Sequence, residues 1–263
     1  MRTAFESTAI VQLQARLRGD VICPGDAGYE RARRVWNGRI NRYPALIVYC
    51  ADPEDVLTTI DFARRVGLPI TVRGGGHSMV GFSVGNGALV IDLSRLKGIQ
   101  IDPQTGIARV QAGLTLGEFV HAAQVYGLAT TTGTVAGTGM GGLTLGGGIG
   151  WLMGKHGLTI DSLLAVELVT ADGQQLSANA TQHPDLFWGL RGGGGNFGVA
   201  TAFTFQLHPV ETVLAGRISY PLSQAREVLH LYRELTRAAP DELTAYADLT
   251  TTSHGIPVIN INL

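Results

Sequence analysis

Three consecutive glycines, Gly74–Gly76, stand between the strand-like residues Pro69–Arg73 and the pair His77-Ser78. Glycine adopts positive φ at little steric cost and lets the backbone approach another group closely. Adjacent backbone N–H groups can converge on an anion such as a phosphate. The run therefore indicates one of two structures. It is either a phosphate-binding loop with an imidazole nucleophile at its rim, or a glycine-rich hairpin beside a bystander histidine.

The remaining glycines are clustered in the same way. The chain has 36 glycines among 263 residues, about twice the average share of roughly 7%. They concentrate in residues 74–87, 133–157 and 192–198, between strongly apolar segments and without a repeat period. Clustered glycine in such a setting favours backbone packed against a ligand over disorder.

Composition excludes several classes of protein. Hydrophobic residues make up 45% and charged residues 16%, which is typical of a globular chain. A net charge of −1 provides no basic footprint for nucleic acid or for a membrane surface. No apolar run is long enough to span a bilayer. Residues 1–20 lack the apolar core of a signal peptide, so we expect a cytoplasmic protein.

The sequence also predicts no metal site. Cys23 and Cys50 are too few for a disulfide framework and do not have the spacing of metal ligands. No histidine pair has the spacing of a zinc motif such as HExxH. We expect both thiols to be structural.

Hydrophobic patterning predicts a mixed α+β fold. A helix is predicted over 5–18. Strands at 45–50 and 69–73 flank a helix at 53–66 that ends before Gly67, an order that favours a parallel pair with a crossover helix.

Further along the chain, the alternation of apolar and polar residues predicts antiparallel strands. Residues 98–111 and 162–177 each predict a hairpin, the second with an Asp-Gly turn, and 199–207 predicts a strand. Residues 133–150 predict an extended loop with a short helix. A helix is predicted over 115–126.

The glycine content falls after Val213, which marks a predicted domain boundary. Beyond it we predict a strand at 217–220, an amphipathic helix at 223–237, and strands at 243–250 and 256–263. The predicted organisation is an N-terminal helical segment (1–40), a central domain (41–212) and the incomplete beginning of another domain (213–263).

Five motif blocks occur in an order that is typical of one family. They are Arg73-Gly-Gly-Gly-His-Ser78, the segment Gly133–Leu152, Lys155-His-Gly-Leu158, Asp185-Leu-Phe-Trp188 and Arg191-Gly-Gly-Gly-Gly-Asn-Phe-Gly198. The chain resembles the PCMH-type FAD-binding domain of the vanillyl-alcohol oxidase superfamily, in its berberine-bridge-enzyme-like branch. The resemblance implies an α+β fold: two α/β subdomains that bind FAD, followed by the start of an antiparallel-sheet substrate domain.

The resemblance also implies a set of FAD contacts. The first block is expected to bind the pyrophosphate, the second to run along the flavin ring and pyrophosphate, and the third to pack near the adenine and ribose. The residues implied are Arg73, Gly74, Gly75, Gly76, His77, Ser78, Gly133, Thr134, Val135, Gly137, Thr138, Gly141, Gly142, Gly146, Gly148, Gly150, Gly198 and Val199.

Two positions bear on how the flavin is attached. In this family the histidine that ends the first block, here His77, is commonly bonded to the 8α-methyl carbon of the flavin, and a neutral imidazole nitrogen is a suitable nucleophile. Some members carry a cysteine in the second block that forms another bond to the flavin. Val135 stands at that position. The resemblance therefore implies a single covalent link, through His77.

Three further residues keep two interpretations each. Asn196 either contacts FAD or hydrogen-bonds a neighbouring backbone. Arg191 either approaches the phosphates or pairs with a carboxylate. His156 either faces the active site or packs internally.

The activity implied is that of an FAD-dependent oxidase. Hydride would pass from a C–H next to O or N of a small-molecule substrate to the flavin, and then two electrons to O₂. The alternatives are a flavin dehydrogenase with another electron acceptor and a non-catalytic FAD-binding fragment. A homodimer is left open. The sequence does not identify a catalytic base.

Members of this family continue well beyond residue 263, so we expect this chain to be C-terminally truncated. We also expect the fragment alone to bind FAD weakly and to have little activity.

Overall fold

The computed structural model describes residues 7–210 and 212–263. Its helices, in chain order, are α1 (Ser7–Gln14), α2 (Tyr29–Ala32), α3 (Pro53–Val66), α4 (Leu116–Gln124), α5 (Met140–Leu145), α6 (Met153–His156), α7 (Pro184–Leu190) and α8 (Ala225–Ala238). Its strands are β1 (Asp20–Ile22), β2 (Leu46–Tyr49), β3 (Ile70–Arg73), β4 (Leu89–Asp92), β5 (Ile99–Asp102), β6 (Ile107–Gln111), β7 (Leu128–Ala129), β8 (Leu163–Val169), β9 (Gln175–Asn179), β10 (Val199–Gln206), β11 (His208–Pro209), β12 (Arg217–Pro221), β13 (Tyr246–Thr251) and β14 (Pro257–Asn262).

The first sheet has the strand order β1-β2-β4-β3. The helix predicted over 53–66 is confirmed as α3: the Asp52 side chain accepts from the Asp55 amide at 2.9 Å, and Gly67 ends the helix at φ 69°. The strands on either side of α3 are parallel as predicted, but β4 lies between them. The adjacent pairing implied by the βαβ order is therefore corrected. Every residue of β4 is buried, whereas three of the four in β3 are half-buried, so β4 takes the central position.

The N-terminal segment contributes to this sheet. The helix predicted over 5–18 is shorter than expected and occupies Ser7–Gln14; residues 5 and 6 lie outside the described part of the chain. Strand β1, which the helical interpretation of 1–40 did not include, pairs antiparallel with β2. Its three residues are too few to form a recognisable alternation.

The second sheet is antiparallel throughout, with the order β5-β6-β10-β8-β9. The two predicted hairpins are confirmed as β5–β6 and β8–β9, and β10 fills the centre by pairing with β6 and β8. Phe203 and Phe205 of β10 pack in the same hydrophobic cluster as Leu46 and Ile91 of the first sheet. The two sheets therefore share one core.

The C-terminal part forms a separate three-stranded antiparallel sheet, β12-β14-β13, with α8 against it. Val228 of α8 packs with Ile259 and Ile261 of β14 in a small core of its own. The predicted change of architecture after Val213 agrees with this arrangement. Over residues 7–210 and 212–263, no helix has both the length and the apolar character required to cross a membrane.

Candidate functional site

The glycine run begins where β3 ends, above a buried ion pair. Arg73 and Asp92 are the last residues of the neighbouring parallel strands β3 and β4 and lie side by side. The Arg73 Nε donates to Asp92 Oδ2 at 2.5 Å, and both side chains are almost wholly buried. Arg73 Nη1 is also buried and has no hydrogen-bond partner among the residues described. The arginine thus anchors the loop from below and retains one unpaired donor.

The loop that follows presents a row of free backbone donors. Within residues 7–210 and 212–263, no carbonyl or side chain accepts from the amides of residues 74–78. Gly74, Gly75, His77 and Ser78 are only half-buried, so these groups are open to a ligand. Five consecutive amides of this kind form a cradle for negative charge.

A second glycine-rich loop lies directly against the first. A Cβ atom on Gly75 would stand 2.3 Å from the Gly139 backbone nitrogen, and one on Gly139 would stand 2.3 Å from the Gly75 nitrogen. Cβ atoms at Gly74 and Gly141 would both face the Ala112 carbonyl oxygen, at 3.5 and 3.3 Å. The structure therefore brings the first block together with the part of the second block around Gly139.

His77 lies at the same junction. Its Nε2 atom would be 3.4 Å from a Cβ placed on Gly137. The indole of Trp36 stacks on its imidazole, with ring centroids 5.2 Å apart and planes 19° apart. The sequence analysis did not single out Trp36, because it lies in a segment of mixed polarity without a motif.

The turn after His77 is held by its own contacts and by Arg42. Ser78 Oγ accepts from the Phe82 amide at 3.1 Å, so its hydroxyl caps the turn. Arg42 donates to the carbonyls of Gly81, Val84 and Val80 at 2.6, 2.9 and 3.2 Å. Sequence reasoning missed Arg42 as well, since an isolated arginine carries no pattern.

The loop at 133–138 closes over the first turn of α4. The amides of Leu116 and Gly117 donate to the carbonyls of Thr138 and Ala136, each at 2.9 Å. These bonds satisfy two of the donors that a helix N-terminus leaves unpaired. A Cβ on Gly133 would crowd Leu116 and Leu143, whereas Thr134 and Val135 face outward and Val135 is 51% exposed.

The later glycines of the second block divide into two groups. Gly142 and Gly146 are exposed. Gly148 and Gly150 are buried where a side chain has no room: a Cβ would stand 2.1 Å from Thr159 Oγ1 and 1.4 Å from the Thr132 carbonyl oxygen, respectively. Close packing accounts for the last two without a ligand.

The third block lies at the pairing of β8 with β10. A Cβ on Gly198 would stand 2.6 Å from the Val169 carbonyl oxygen, and Val199 is buried opposite Val169. The two open interpretations in this block resolve within the protein. Arg191 pairs with Asp161 at 3.3 Å, and the Asn196 amide donates to the Gly193 carbonyl at 2.7 Å.

The segment after the second block contacts the C-terminal sheet. The Trp151 and Tyr246 rings meet edge to face with centroids 4.7 Å apart. A Cβ on Gly154 would stand 2.3 Å from the Asp241 carbonyl oxygen. The Tyr246 hydroxyl is buried without a partner among the described residues, and burial raises its pKa.

His156 packs internally, as the second of its two interpretations has it. Its ring stacks on His208 at 4.2 Å with an interplanar angle of 10°, and His208 Nε2 lies 3.2 Å from Ser162 Oγ. Burial, with contributions from His208 and Lys155, lowers the pKa of His156. In the part of the chain that the structure describes, no group of three or more potential ligands could hold a metal ion.

Comparison with known proteins places this geometry in a family. The family model described as "FAD binding domain" matches residues 44–179. An uncharacterized FAD-linked oxidoreductase of Bacillus subtilis, YgaK, is 38% identical over 237 residues, which are 88% of this chain and 52% of that protein. The (R)-6-hydroxynicotine oxidase of Paenarthrobacter nicotinovorans is 38% identical over 205 residues, which are 78% of this chain and 45% of that protein.

Solved structures agree on the fold. The crystal structure of 6-hydroxy-D-nicotine oxidase from Arthrobacter nicotinovorans superposes with a TM-score of 0.88 at 33% identity, covering 94% of this chain and 55% of that one. BBE-like 1 of Physcomitrella patens gives 0.88 at 28% identity, covering 96% and 56%. The chain spans about half the length of the curated relatives it matches. From the matched domain, these relatives and the shared fold, we conclude that the chain belongs to the FAD-binding domain family, among the berberine-bridge-enzyme-like FAD-linked oxidoreductases.

Proposed function

We propose that this chain is the FAD-binding part of an oxidase that removes hydride from a C–H next to O or N of a small molecule. The row of free amides at residues 74–78 carries this proposal, because it is a ready site for the diphosphate of FAD. The unpaired Arg73 Nη1 beneath the loop adds a positive charge nearby. FAD, once bound, supplies the two-electron chemistry and returns the electrons to O₂.

The chain's own residues would have separate tasks. The amides of residues 74–78 would bind the diphosphate, and the outward-facing loop at 134–137 would line the cofactor. Gly75 and Gly139 would keep the two loops in contact. His77, held at the junction of the loops, would form the single covalent bond to the flavin.

The bond would form between one imidazole nitrogen of His77 and the 8α carbon of the flavin. The methyl group loses one hydrogen and the imidazole loses its N–H hydrogen. The two hydrogens and two electrons pass to O₂, which becomes H₂O₂. No cysteine is available for a second bond, because Val135 stands at the position implied for it.

The names of two similar proteins support an amine-type substrate. The 6-hydroxynicotine oxidases named above resemble this chain at 38% sequence identity and at a TM-score of 0.88. We therefore propose a C–H next to nitrogen as the bond oxidised first.

The attachment is tested on the purified chain after incubation with FAD in air. Acid precipitation, fluorescence of the denatured band and intact mass report the covalent flavin. We expect the wild type to gain the mass of one FAD and His77→Ala to gain none. Covalent flavin in His77→Ala at the wild-type level would refute the link through His77.

The electron acceptor is tested by stopped-flow reoxidation of the reduced flavoprotein. Fast reoxidation by O₂ is expected of an oxidase. Slow reoxidation by O₂ with fast reoxidation by a quinone or another acceptor would identify a dehydrogenase instead.

A further inference from the structure

Trp36 is an exposed tryptophan whose position the hydrophobic core does not explain. Its side chain is 59% exposed, and it belongs to none of the buried clusters of the described residues, although its neighbour Val35 packs against one. A large aromatic ring held this far into solvent gains little from burial. Its aromatic contact is the stack on the His77 imidazole.

The backbone and side chain next to this ring hold the loop on both sides of His77. The Trp36 amide donates to the Gly76 carbonyl at 3.1 Å. The Asn37 side chain donates to the Met79 carbonyl at 2.7 Å. Residues 36 and 37 therefore grip the loop one residue before and two residues after His77, while the indole covers the imidazole between these points.

Stacking fixes the quantity that matters for an attack by an imidazole nitrogen. The lone pair of a ring nitrogen lies in the plane of the ring, so rotation about the Cβ–Cγ bond turns the direction of attack. A face-to-face partner 5.2 Å away at 19° opposes that rotation. On another side of the imidazole, Nε2 is directed at Gly137, where the missing side chain leaves space.

We propose that Trp36 is a positioning residue that holds the His77 imidazole in the plane required for bonding to the flavin. This inference rests on the proposed covalent link. It assigns the N-terminal segment, which lies outside the glycine-rich blocks, a task in cofactor attachment.

The test measures the rate at which purified flavin-free chain becomes covalently labelled by added FAD. Trp36→Phe keeps a planar ring, and Trp36→Leu keeps an apolar side chain without a ring face. Asn37→Ala is the matched control, because it removes one loop contact and leaves the stack. Noncovalent FAD affinity and the thermal midpoint are measured for each variant, and Trp36→Met replaces Trp36→Leu if the latter does not fold.

We expect Trp36→Leu to slow covalent labelling about tenfold or more, the scale of a misplaced reacting group. Trp36→Phe should restore most of the rate, and noncovalent affinity should change little. In the flavin-free chain, the ring-proton NMR signals of His77 should move downfield in Trp36→Leu as the indole ring current is lost.

Three outcomes would overturn the inference. Labelling of Trp36→Leu at the wild-type rate would remove the positioning role and leave the covalent link intact. Equal slowing in Trp36→Phe, Trp36→Leu and Asn37→Ala would reduce Trp36 to a loop contact. Absence of covalent flavin in the wild type would refute the link itself, and the role of Trp36 with it.

Discussion

Single residues set how closely the two glycine-rich loops approach each other. Gly75 and Gly139 meet backbone to backbone, and neither position has room for a methyl group. The free amides of residues 74–78 depend on this contact, because it holds the first loop open toward the ligand. A change of one carbon atom at the contact should therefore affect both stability and cofactor binding.

Gly75→Ala is expected to destabilise the protein by about 2–3 kcal/mol, since its Cβ would meet the Gly139 nitrogen at 2.3 Å and the backbone must move. Noncovalent FAD binding should weaken in parallel. Urea unfolding and fluorescence titration with FAD measure the two effects. Gly74→Ala is the matched control, because its Cβ would have an ordinary contact of 3.5 Å with the Ala112 carbonyl oxygen. Equal losses in both variants would contradict the steric account.

The Cys50 thiol should be inert in the folded protein. It is fully buried, and burial raises its pKa to about 12, so almost no thiolate forms at neutral pH. We expect iodoacetamide to modify Cys50 only after unfolding, while the partly exposed Cys23 reacts slowly in the native state. Mass spectrometry of digests from native and denatured protein distinguishes the two sites. Rapid native labelling of Cys50 would contradict its burial.

Elements, rather than residues, decide where the loops meet. Strands β3 and β6 belong to different sheets, yet the loop after β3 reaches the Ala112 carbonyl just beyond the end of β6. Periodicity predicted the strands and the crossover helix because these are local features of the sequence. It did not predict that β4 lies between β2 and β3, because strand order depends on which strand is buried on both faces.

The stack between α6 and β11 should make stability depend on pH. The pKa of His156 in the folded protein lies below its ordinary value of 6.5, chiefly through burial. Just below pH 6.5 the unfolded chain therefore binds more protons than the folded chain, and stability falls as pH decreases. The thermal midpoint of the wild type should drop in this range.

His156→Gln should lose part of that pH dependence, because it removes the group whose protonation opposes folding. His121→Gln, at an exposed position on α4, serves as the control. An identical drop of the thermal midpoint in His156→Gln and wild type would exclude the stack as its origin.

At the scale of the whole molecule, the C-terminal sheet is joined to the rest through few contacts. Its core of Val228, Ile259 and Ile261 is separate from the large shared core. The Trp151–Tyr246 contact and the close approach of Gly154 to Asp241 connect it to the segment that follows the second glycine block. The orientation of this sheet toward the candidate cofactor site thus depends on a small area.

Tyr246→Phe should leave stability unchanged or raise it by up to about 1 kcal/mol, because the hydroxyl that it removes is buried without a partner. Tyr246→Ala should cost about 2 kcal/mol by deleting the contact with Trp151. Urea unfolding measures both, and hydrogen exchange shows whether protection is lost in β12–β14. A clear loss of stability in Tyr246→Phe would mean that the hydroxyl has a partner.

The sequence by itself determined the elements, the mixed α+β class, the family and the candidate residues at 73–78 and around 139. These depend on local periodicity and on ordered glycine blocks, which are properties of neighbours along the chain. Only the tertiary structure decided that Gly75 touches Gly139, that Trp36 stacks on His77, and that Arg73 is committed to Asp92. It also separated the glycines that pack, such as Gly148 and Gly150, from those that border a ligand site. The physical reason is that a missing side chain looks the same in every motif, whereas its use depends on what the folded chain brings next to it.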